Sequence, residues 1–387
     1  MKTALCGAGI ILPDGIVYNQ ALLMEDGVIL GVCGHAPEDA QVIRLDGGYL
    51  SPGFVDLHVH GGNGADFMDG TPEAFLTAAR NSLMGGATTI YPTTVCSSDA
   101  VLLRTFDVFR AVQGREGLPH MPGLHLEGPY FSAAQAGAQD PGALKRPTPE
   151  HYRMILENSD IVARVSAACE LEGALELGDA LCAHGILASI GHSDAEYDEV
   201  LRAVRHGYRH VTHLYSCMSS LHRKNAYRVL GVVESAYLLP ELTVEIIADG
   251  RHLPPELLRM IVKCKDKASV SLVTDALRGS GLPEGSKIPL GGGDTRYAII
   301  ENGVAIMPDR SCFCGSVTTA NGCVRTMWKD VGLPLHEAAA MMTANPCRVM
   351  GLDKRKGRIA PGMDADLVHF DEDVQIRNVW LMGRKAV

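Results

Sequence analysis

The chain of 387 residues contains no run of 18 apolar residues, the least that would announce a membrane-spanning helix. Positive charge is also in short supply: 35 Lys and Arg stand against 45 Asp and Glu, a formal net charge of −10. Such a surface lacks the cations that neutralise phosphates in nucleic-acid binding, although a few local ones suffice for a single small anion. No CxxC pair occurs among the 11 cysteines. Their odd number and scatter fit reduced, buried thiols better than a disulfide framework, and the CxC of Cys312 and Cys314 is read as structural. Internal repeats and low-complexity tracts are absent. The opening MKTALCGAGIILPDG runs on into YNQALLMEDGVILGV, which reads as strand and turn and not as a cleavage site, so a cytoplasmic location is expected.

What the sequence does contain is alternation. Apolar residues make up 46% of the chain and charged residues 21%, ordinary for a large globular core. Eight short β-rich runs follow one another: GFVDLHVH (53–60), ATTIYPT (87–93), GLHLEGP (123–129), IVARVSAA (161–168), ILASIGH (186–192), HVTHLY (210–215), TVEIIAD (243–249) and SVSLVTDA (269–276). Helical stretches are expected between them at 72–84, 98–112, 173–184, 194–206 and 255–264. Two open on capping signals, Thr71-Pro72 for the first and Ser193-Asp194 for the one at 194–206. A glycine-rich hairpin region (281–303) and helices at 317–330 and 334–343 come after the eighth run. Alternating strand and helix means parallel βα units, and eight of them close a (β/α)₈ TIM barrel. The two ends have another character. Residues 1–51 read as short strands with turns at Pro13-Asp14-Gly15 and Glu25-Asp26-Gly27, and GRIAPGMDADLVHFDEDVQIRNVWLMG reads alike. The expected organisation is a discontinuous β-sandwich of 1–51 with 352–387 and a barrel over 52–351.

In such a barrel, residues at the C-terminal ends of the strands face the active site. His58 and His60 end the first run, two apart and therefore on one face; Glu127 ends the third, His192 the fifth, His213 the sixth and Asp275 the eighth. Imidazole and carboxylate suit Zn²⁺ or Fe²⁺, and three protein ligands leave a position open for water. Any one of these residues alone reads as a hydrogen-bonded strand end; six at matching ends of five strands do not. His120, His125, His184, His206 and His210 fall on helices, strand beginnings or the wrong face and are read as structural, with His125 sharing a strand face with Glu127.

The segments PGFVDLHVHG (52–61), HLEGPY (125–130), GHS (191–193), THLY (212–215), ADGRH (248–252), TDA (274–276) and PGMDADLV (361–368) resemble, in order and over nearly the whole chain, the N-acetylglucosamine-6-phosphate deacetylase family of the amidohydrolase superfamily. The resemblance implies a barrel with a terminal β-sandwich and a divalent metal, one or two per chain. It implies that Glu127, His192 and His213 bind the principal metal, that His58 and His60 hold a second with Glu127 bridging, and that Asp275 is the catalytic acid and base. His252 would polarise the amide carbonyl or its oxyanion. Asp249 and Gly250 of ADGRH, with Cys314 and Gly315, are expected at the substrate. A small sugar phosphate is the implied partner, with no nucleic acid and no membrane, and a homodimer is the implied assembly.

Three positions depart from the family pattern. HLYNAM is HLYSCM here, so Ser216 and Cys217 take the sugar-phosphate positions; GAH is GAQ, so Gln139 replaces a substrate-binding histidine. The loop whose REPG-type arginine binds phosphate across a subunit interface reads SSLHRKNAYRVLG, with Arg223, Lys224 and Arg228 as the candidate cations, Arg228 for its bidentate grip and Lys224 by position. Two other readings compete. One is an amidohydrolase for a different N-acyl or cyclic amide; many such two-metal members use a carboxylated lysine after strand four, and IVARVSAA has no lysine. The other is a non-catalytic sugar-phosphate sensor, which would be expected to lose Asp275.

Overall fold

A computed structural model describes residues 2–291 and 296–387. Eight strands form one parallel sheet in chain order: β1 Phe54–Val59, β2 Ala87–Thr94, β3 Leu124–Glu127, β4 Val162–Ala167, β5 Leu187–Ile190, β6 Tyr208–Val211, β7 Thr243–Ile247 and β8 Val270–Val273. Each falls within or beside one of the eight runs. The seam between β8 and β1 is stitched just beyond the strands: Asp275 N donates to His58 O (2.8 Å) and His60 N to Ala276 O (2.8 Å). All residues of β1 and β2 are buried, as expected of parallel strands covered on both faces.

The helices follow the same alternation: α1 Pro72–Met84, α2 Asp99–Val112, α3 Pro149–Glu157, α4 Ala174–Ala183, α5 Tyr197–Arg205, α6 Val232–Leu238, α7 Pro255–Cys264 and α8 Ala320–Arg325. Thr71 caps α1 by accepting from Ala74 N, with Pro72 in the first turn, and the helix turns Phe75, Ala78, Ala79 and Leu83 inward. The expected start of α5 at Ser193-Asp194 is corrected. Glu170, from the loop after β4, takes Ser193 Oγ and Asp194 N (2.6 Å each), and the helix begins at Tyr197, where Glu199 accepts from Glu196 N (2.8 Å). The stretch expected as one helix over 317–330 is α8 followed by a π-turn, Thr326–Asp330. Helices α3, α6 and Ala344–Val349 are additional to those expected. No helix among the described residues is long and apolar enough to cross a membrane.

The chain ends form two further sheets, of which the six-stranded one combines strands from both ends and the four-stranded one is all N-terminal. The strand Tyr49–Pro52 pairs antiparallel with Leu367–Phe370 in a six-stranded sheet, and a four-stranded sheet runs from Val28–Cys33 to Gln41–Arg44. Leu5, Ile10, Leu22, Leu50, Leu367 and Trp380 pack together between them. After β8, four antiparallel strands (Lys287–Pro289, Tyr297–Glu301, Val304–Ile306 and Phe313–Ser316) form a flap. It hangs from the barrel by Ser316 N to Asp275 O (2.9 Å). Of the hairpin region expected over 281–303, residues 292–295 lie outside the described residues.

Candidate active site

The six polar strand-end residues meet in one buried cluster. Glu127 is its hub: Oε1 lies 2.9 Å from His213 Nε2, 3.2 Å from His192 Nε2 and 3.5 Å from His58 Nε2, and Oε2 lies 3.6 Å from His60 Nε2. Asp275 Oδ1 is 3.2 Å from His60 Nε2 and 3.5 Å from His58 Nε2. Three of these residues leave their strands in the left-handed region, His192 at φ 48°, His213 at 31° and Asp275 at 47°. That conformation costs a side-chain-bearing residue about 1–3 kcal/mol and is kept where surrounding structure enforces it. The chain thereby turns sharply off the barrel rim at each of these positions.

The imidazoles are aimed by partners outside the cluster. His58 Nδ1 lies on Glu245 Oε1 (2.8 Å) and His192 Nδ1 on Gln135 O (2.8 Å), so each ring turns its Nε2 to the centre. There His58 Nε2 faces His60 Nε2 at 3.1 Å, and His192 Nε2 faces His213 Nε2 at 3.2 Å. Among the described residues, the Nδ1 atoms of His60 and His213 are buried without a hydrogen-bond partner. Structural histidines look different: His125 uses both nitrogens, on Thr93 Oγ1 (3.2 Å) and Ser166 Oγ (2.7 Å), as does His210, on Thr243 Oγ1 (2.7 Å) and Glu245 Oε2 (3.3 Å).

Ligand-type atoms of His58, His60 and Glu127, and again of Glu127, His192 and His213, lie within 4.8 Å of one another. Electrostatics point the same way. Burial pulls the His60 pKa down, but the hydrogen bond to Asp275 and the charge of Glu127 push it up to about 9. Burial likewise opposes charge on Glu127, yet His58, His192 and His213 hold its carboxyl well below the usual carboxylate range. Asp275 is lowered against burial by His58 and His60. The field of the cluster thus favours a positive charge at its centre. A divalent cation fits this donor set, meeting lone pairs that otherwise face each other.

Beneath the cluster lies machinery that the strand-end criterion does not select. Glu245, in the middle of β7, accepts from His58 Nδ1, His213 N (3.3 Å), His210 Nε2 and Arg164 Nη1 (2.5 Å). Arg164, wholly buried in β4, also donates to Ser189 Oγ (2.9 Å) and Thr212 Oγ1 (2.8 Å). A charged residue inside an otherwise apolar parallel strand is the signal that could have found both. A second carboxylate, Asp56 of β1, accepts from Thr274 Oγ1 (2.6 Å) and Thr274 N (3.2 Å).

A cavity of about 1100 Å³ opens above the cluster between barrel and flap, lined among others by Ser216, Cys217, Gln139, His252, Cys314 and Gly315. Gln139 is committed at both ends of its amide: Nε2 donates to Glu127 Oε2 (2.7 Å) and Oε1 accepts from Cys96 N (2.8 Å). His252 Nδ1 is held by Asp249 Oδ2 (2.6 Å), which leaves Nε2 for the cavity. Asp249 and Gly250 do not line it: Asp249 orients His252, and Gly250 turns the loop at φ 69°. Arg223, Lys224 and Arg228 do not line it either. They stand on an exposed hairpin, His222–Lys224 with Tyr227–Val229, and Lys224 pairs with Glu196 (2.7 Å). The arginines that do line the cavity are Arg104, Arg278 and Arg296.

A (β/α)₈ barrel with a His/Glu cluster at its strand ends that could hold a metal points to the amidohydrolases, and the model of the Amidohydrolase family matches residues 49–386. The N-acetylglucosamine-6-phosphate deacetylase of Vibrio furnissii is 30% identical over 93% of this chain and 88% of its own length. The N-acetylgalactosamine-6-phosphate deacetylase of Escherichia coli is 29% identical over 100% of both. A crystal structure of N-acetylglucosamine-6-phosphate deacetylase from Pasteurella multocida superposes with a TM-score of 0.91 at 26% identity, covering 100% of this chain and 99% of that one. The chain belongs to the amidohydrolase family, and within it to the N-acetylglucosamine-6-phosphate deacetylases.

Proposed function

We propose that the chain is a metal-dependent deacetylase that hydrolyses the acetamido group of an N-acetyl amino-sugar 6-phosphate, N-acetylglucosamine 6-phosphate first among them, to the amine and acetate. One observation carries this: Glu127 lies between two histidine pairs with a carboxylate, Asp275, against one of them. Glu127, His192 and His213 would hold the principal Zn or Fe ion, and His58 and His60 a second with Glu127 shared. Bound there, the ion supplies Lewis acidity that activates water and polarises a carbonyl. Asp275 accepts the water proton and delivers it to the leaving nitrogen, because an amine leaves poorly unless protonated. His252, its Nδ1 held by Asp249, turns Nε2 to the developing oxyanion. Ser216, Cys217, Cys314 and Gly315 surround the sugar, and Gln139 supports Glu127. Residues 1–51 and 352–387 form the accessory sandwich, and the working form is a cytoplasmic homodimer.

The galactosamine epimer is a second reading, favoured by the relative that aligns end to end. An activity panel decides. Acetate release should be seen with the 6-phosphate of N-acetylglucosamine or N-acetylgalactosamine and be far slower with the unphosphorylated sugars. Turnover of a cyclic amide alone would move the chain to another amidohydrolase branch. Binding of sugar phosphate without turnover by metal-loaded protein would make it a sensor.

A further inference from the structure

The loop between β3 and α3 bears on the cradle at four points. The Phe131 ring stacks on that of His192 (centroids 4.2 Å apart), Ser132 N donates to His192 O (3.0 Å), and Gln135 O lies on His192 Nδ1 (2.8 Å). Gln139 Nε2 donates to Glu127 Oε2 (2.7 Å). The loop's regular pieces are two single turns of 3₁₀ helix, Ala133–Gln135 and Pro141–Ala143, so no ladder holds its shape. Its ends meet instead, where Lys145 N donates to Pro129 O (3.0 Å). A side-chain cluster outside the cavity fastens that junction. Tyr130 OH lies on His151 Nδ1 (2.7 Å) at one end of the loop, and Lys145 Nζ on His151 Nε2 (2.8 Å) at the other. Asp99, in the first turn of α2, accepts from Lys145 Nζ and lies 3.0 Å from His151 Nε2. Tyr130 is wholly buried, and Asp99, Lys145 and His151 are half-buried. The Lys145 hydrogen bond, seconded by that of His151, holds the Asp99 carboxyl below the usual carboxylate range. None of Asp99, Lys145 and His151 lines the cavity.

Resting on the reading of Glu127, His192 and His213 as the principal metal site, we propose that Lys145 and Asp99, with His151 between them, are positioning residues for that metal: they tie closed the loop that aims two of its three ligands. The gain is entropic. A loop with little regular structure samples many conformations unless its ends are joined. A group that orients a ligand, such as the Gln139 amide or the Gln135 carbonyl, acts only while it stays in place. Fastening the loop to α2 sets both groups before an ion arrives, so the ordering is not charged against its binding.

The test uses the full-length protein and zinc alone, its affinity read by competition with a chromophoric chelator and melting temperatures measured alongside. Lys145→Met keeps the aliphatic stem and removes the charge. It should weaken the tightest-bound zinc about tenfold, the lower end of what losing a ligand-orienting group does to affinity. Asp99→Asn should do the same, the double variant little more than either alone, and Lys145→Arg should restore most of the affinity. Arg110→Met is the control. Arg110 joins the other end of α2 to Asp160 (2.8 Å) and Asn158 (3.0 Å), so its loss removes a comparable ion pair and should leave zinc affinity unchanged. Acetate release by Lys145→Met should match wild type in saturating zinc and fall behind it when zinc is limiting. Equal zinc affinity in wild type and Lys145→Met, or equal weakening by Arg110→Met, would overturn the proposal. So would a loss of turnover that saturating zinc does not restore. A wild type that binds no zinc ends the metal reading itself and this proposal with it, a failure seen before any variant is made.

Discussion

Replacing Asp275 by Asn tests the proposed chemistry most directly, because the change keeps size and shape while removing the ability to take a proton. The backbone of residue 275 is held on both sides, by N to His58 O (2.8 Å) and by O from Ser316 N (2.9 Å), so the side chain should stay in place. Its Oδ1 sits 3.2 Å from His60 Nε2 and 3.5 Å from His58 Nε2. It is therefore both the nearest base to the cradle and part of the negative charge that favours a cation there. Loss of a general base costs a factor of about 10²–10⁴, or about 3–5 kcal/mol of barrier. The two effects separate if metal content is measured on the same samples. Acetate release at saturating sugar phosphate should fall by that factor in Asp275→Asn protein that elemental analysis shows to be fully loaded, with KM little changed. Near-wild-type kcat in fully loaded Asp275→Asn would refute Asp275 as the proton carrier, whatever the metal count.

Three further expectations follow from the same geometry. A His58→Gln/His60→Asn double variant should drop from up to two metals per chain towards one by elemental analysis; a wild type that never exceeds one in excess Zn²⁺ would make that pair structural. Glu245→Gln offers one acceptor oxygen where His58 Nδ1, His213 N, His210 and Arg164 all converge, so it should lose metal from the His58/His60 side as well as about 3–5 kcal/mol of stability in urea unfolding. An Arg164→Met variant that lost metal equally would show the pair to be merely structural. Burial holds the Asp56 carboxyl up at about 6 against its ordinary 3.8, so its contribution is present below the lower value and lost as pH rises through the higher. Wild type should therefore weaken relative to Asp56→Asn as pH climbs from 3.8 to about 6, and parallel stability curves would contradict the buried, raised carboxyl.

The barrel was legible because parallel strands covered on both faces are continuous apolar runs, and eight such runs spaced by helical stretches admit few other closures. Where the reading slipped, long-range contacts or an overlooked local signal were responsible. Ser193-Asp194 looks like a helix cap, but Glu170 takes both groups and moves the start to Tyr197. Helix α3 opens on Thr148-Pro149, with Thr148 accepting from His151 N, the same signal as Thr71-Pro72 before α1. That helix was readable and its neighbourhood hid it: the long loop after β3 carries no strand of its own to frame it.

The site was legible for a different reason, and its remainder was hidden for the converse one. Polar residues at the ends of apolar strands break the local rule, and rule-breaking positions tend to be where function resides. His192, His213 and Asp275 break it twice, in polarity and in their left-handed backbone. Glu245 and Arg164 break it too, within TVEIIAD and IVARVSAA, but what they do depends on partners 187 and 81 residues apart in the chain, which no local pattern reports. Ligand atoms fixed by strand periodicity can be read one residue at a time, whereas the groups that aim those ligands and select the substrate are defined by pairs. Departures such as Gln139 should therefore be judged by what they touch: its amide lies on Glu127 and Cys96 N, so its replacement should act on the cradle before it acts on the sugar.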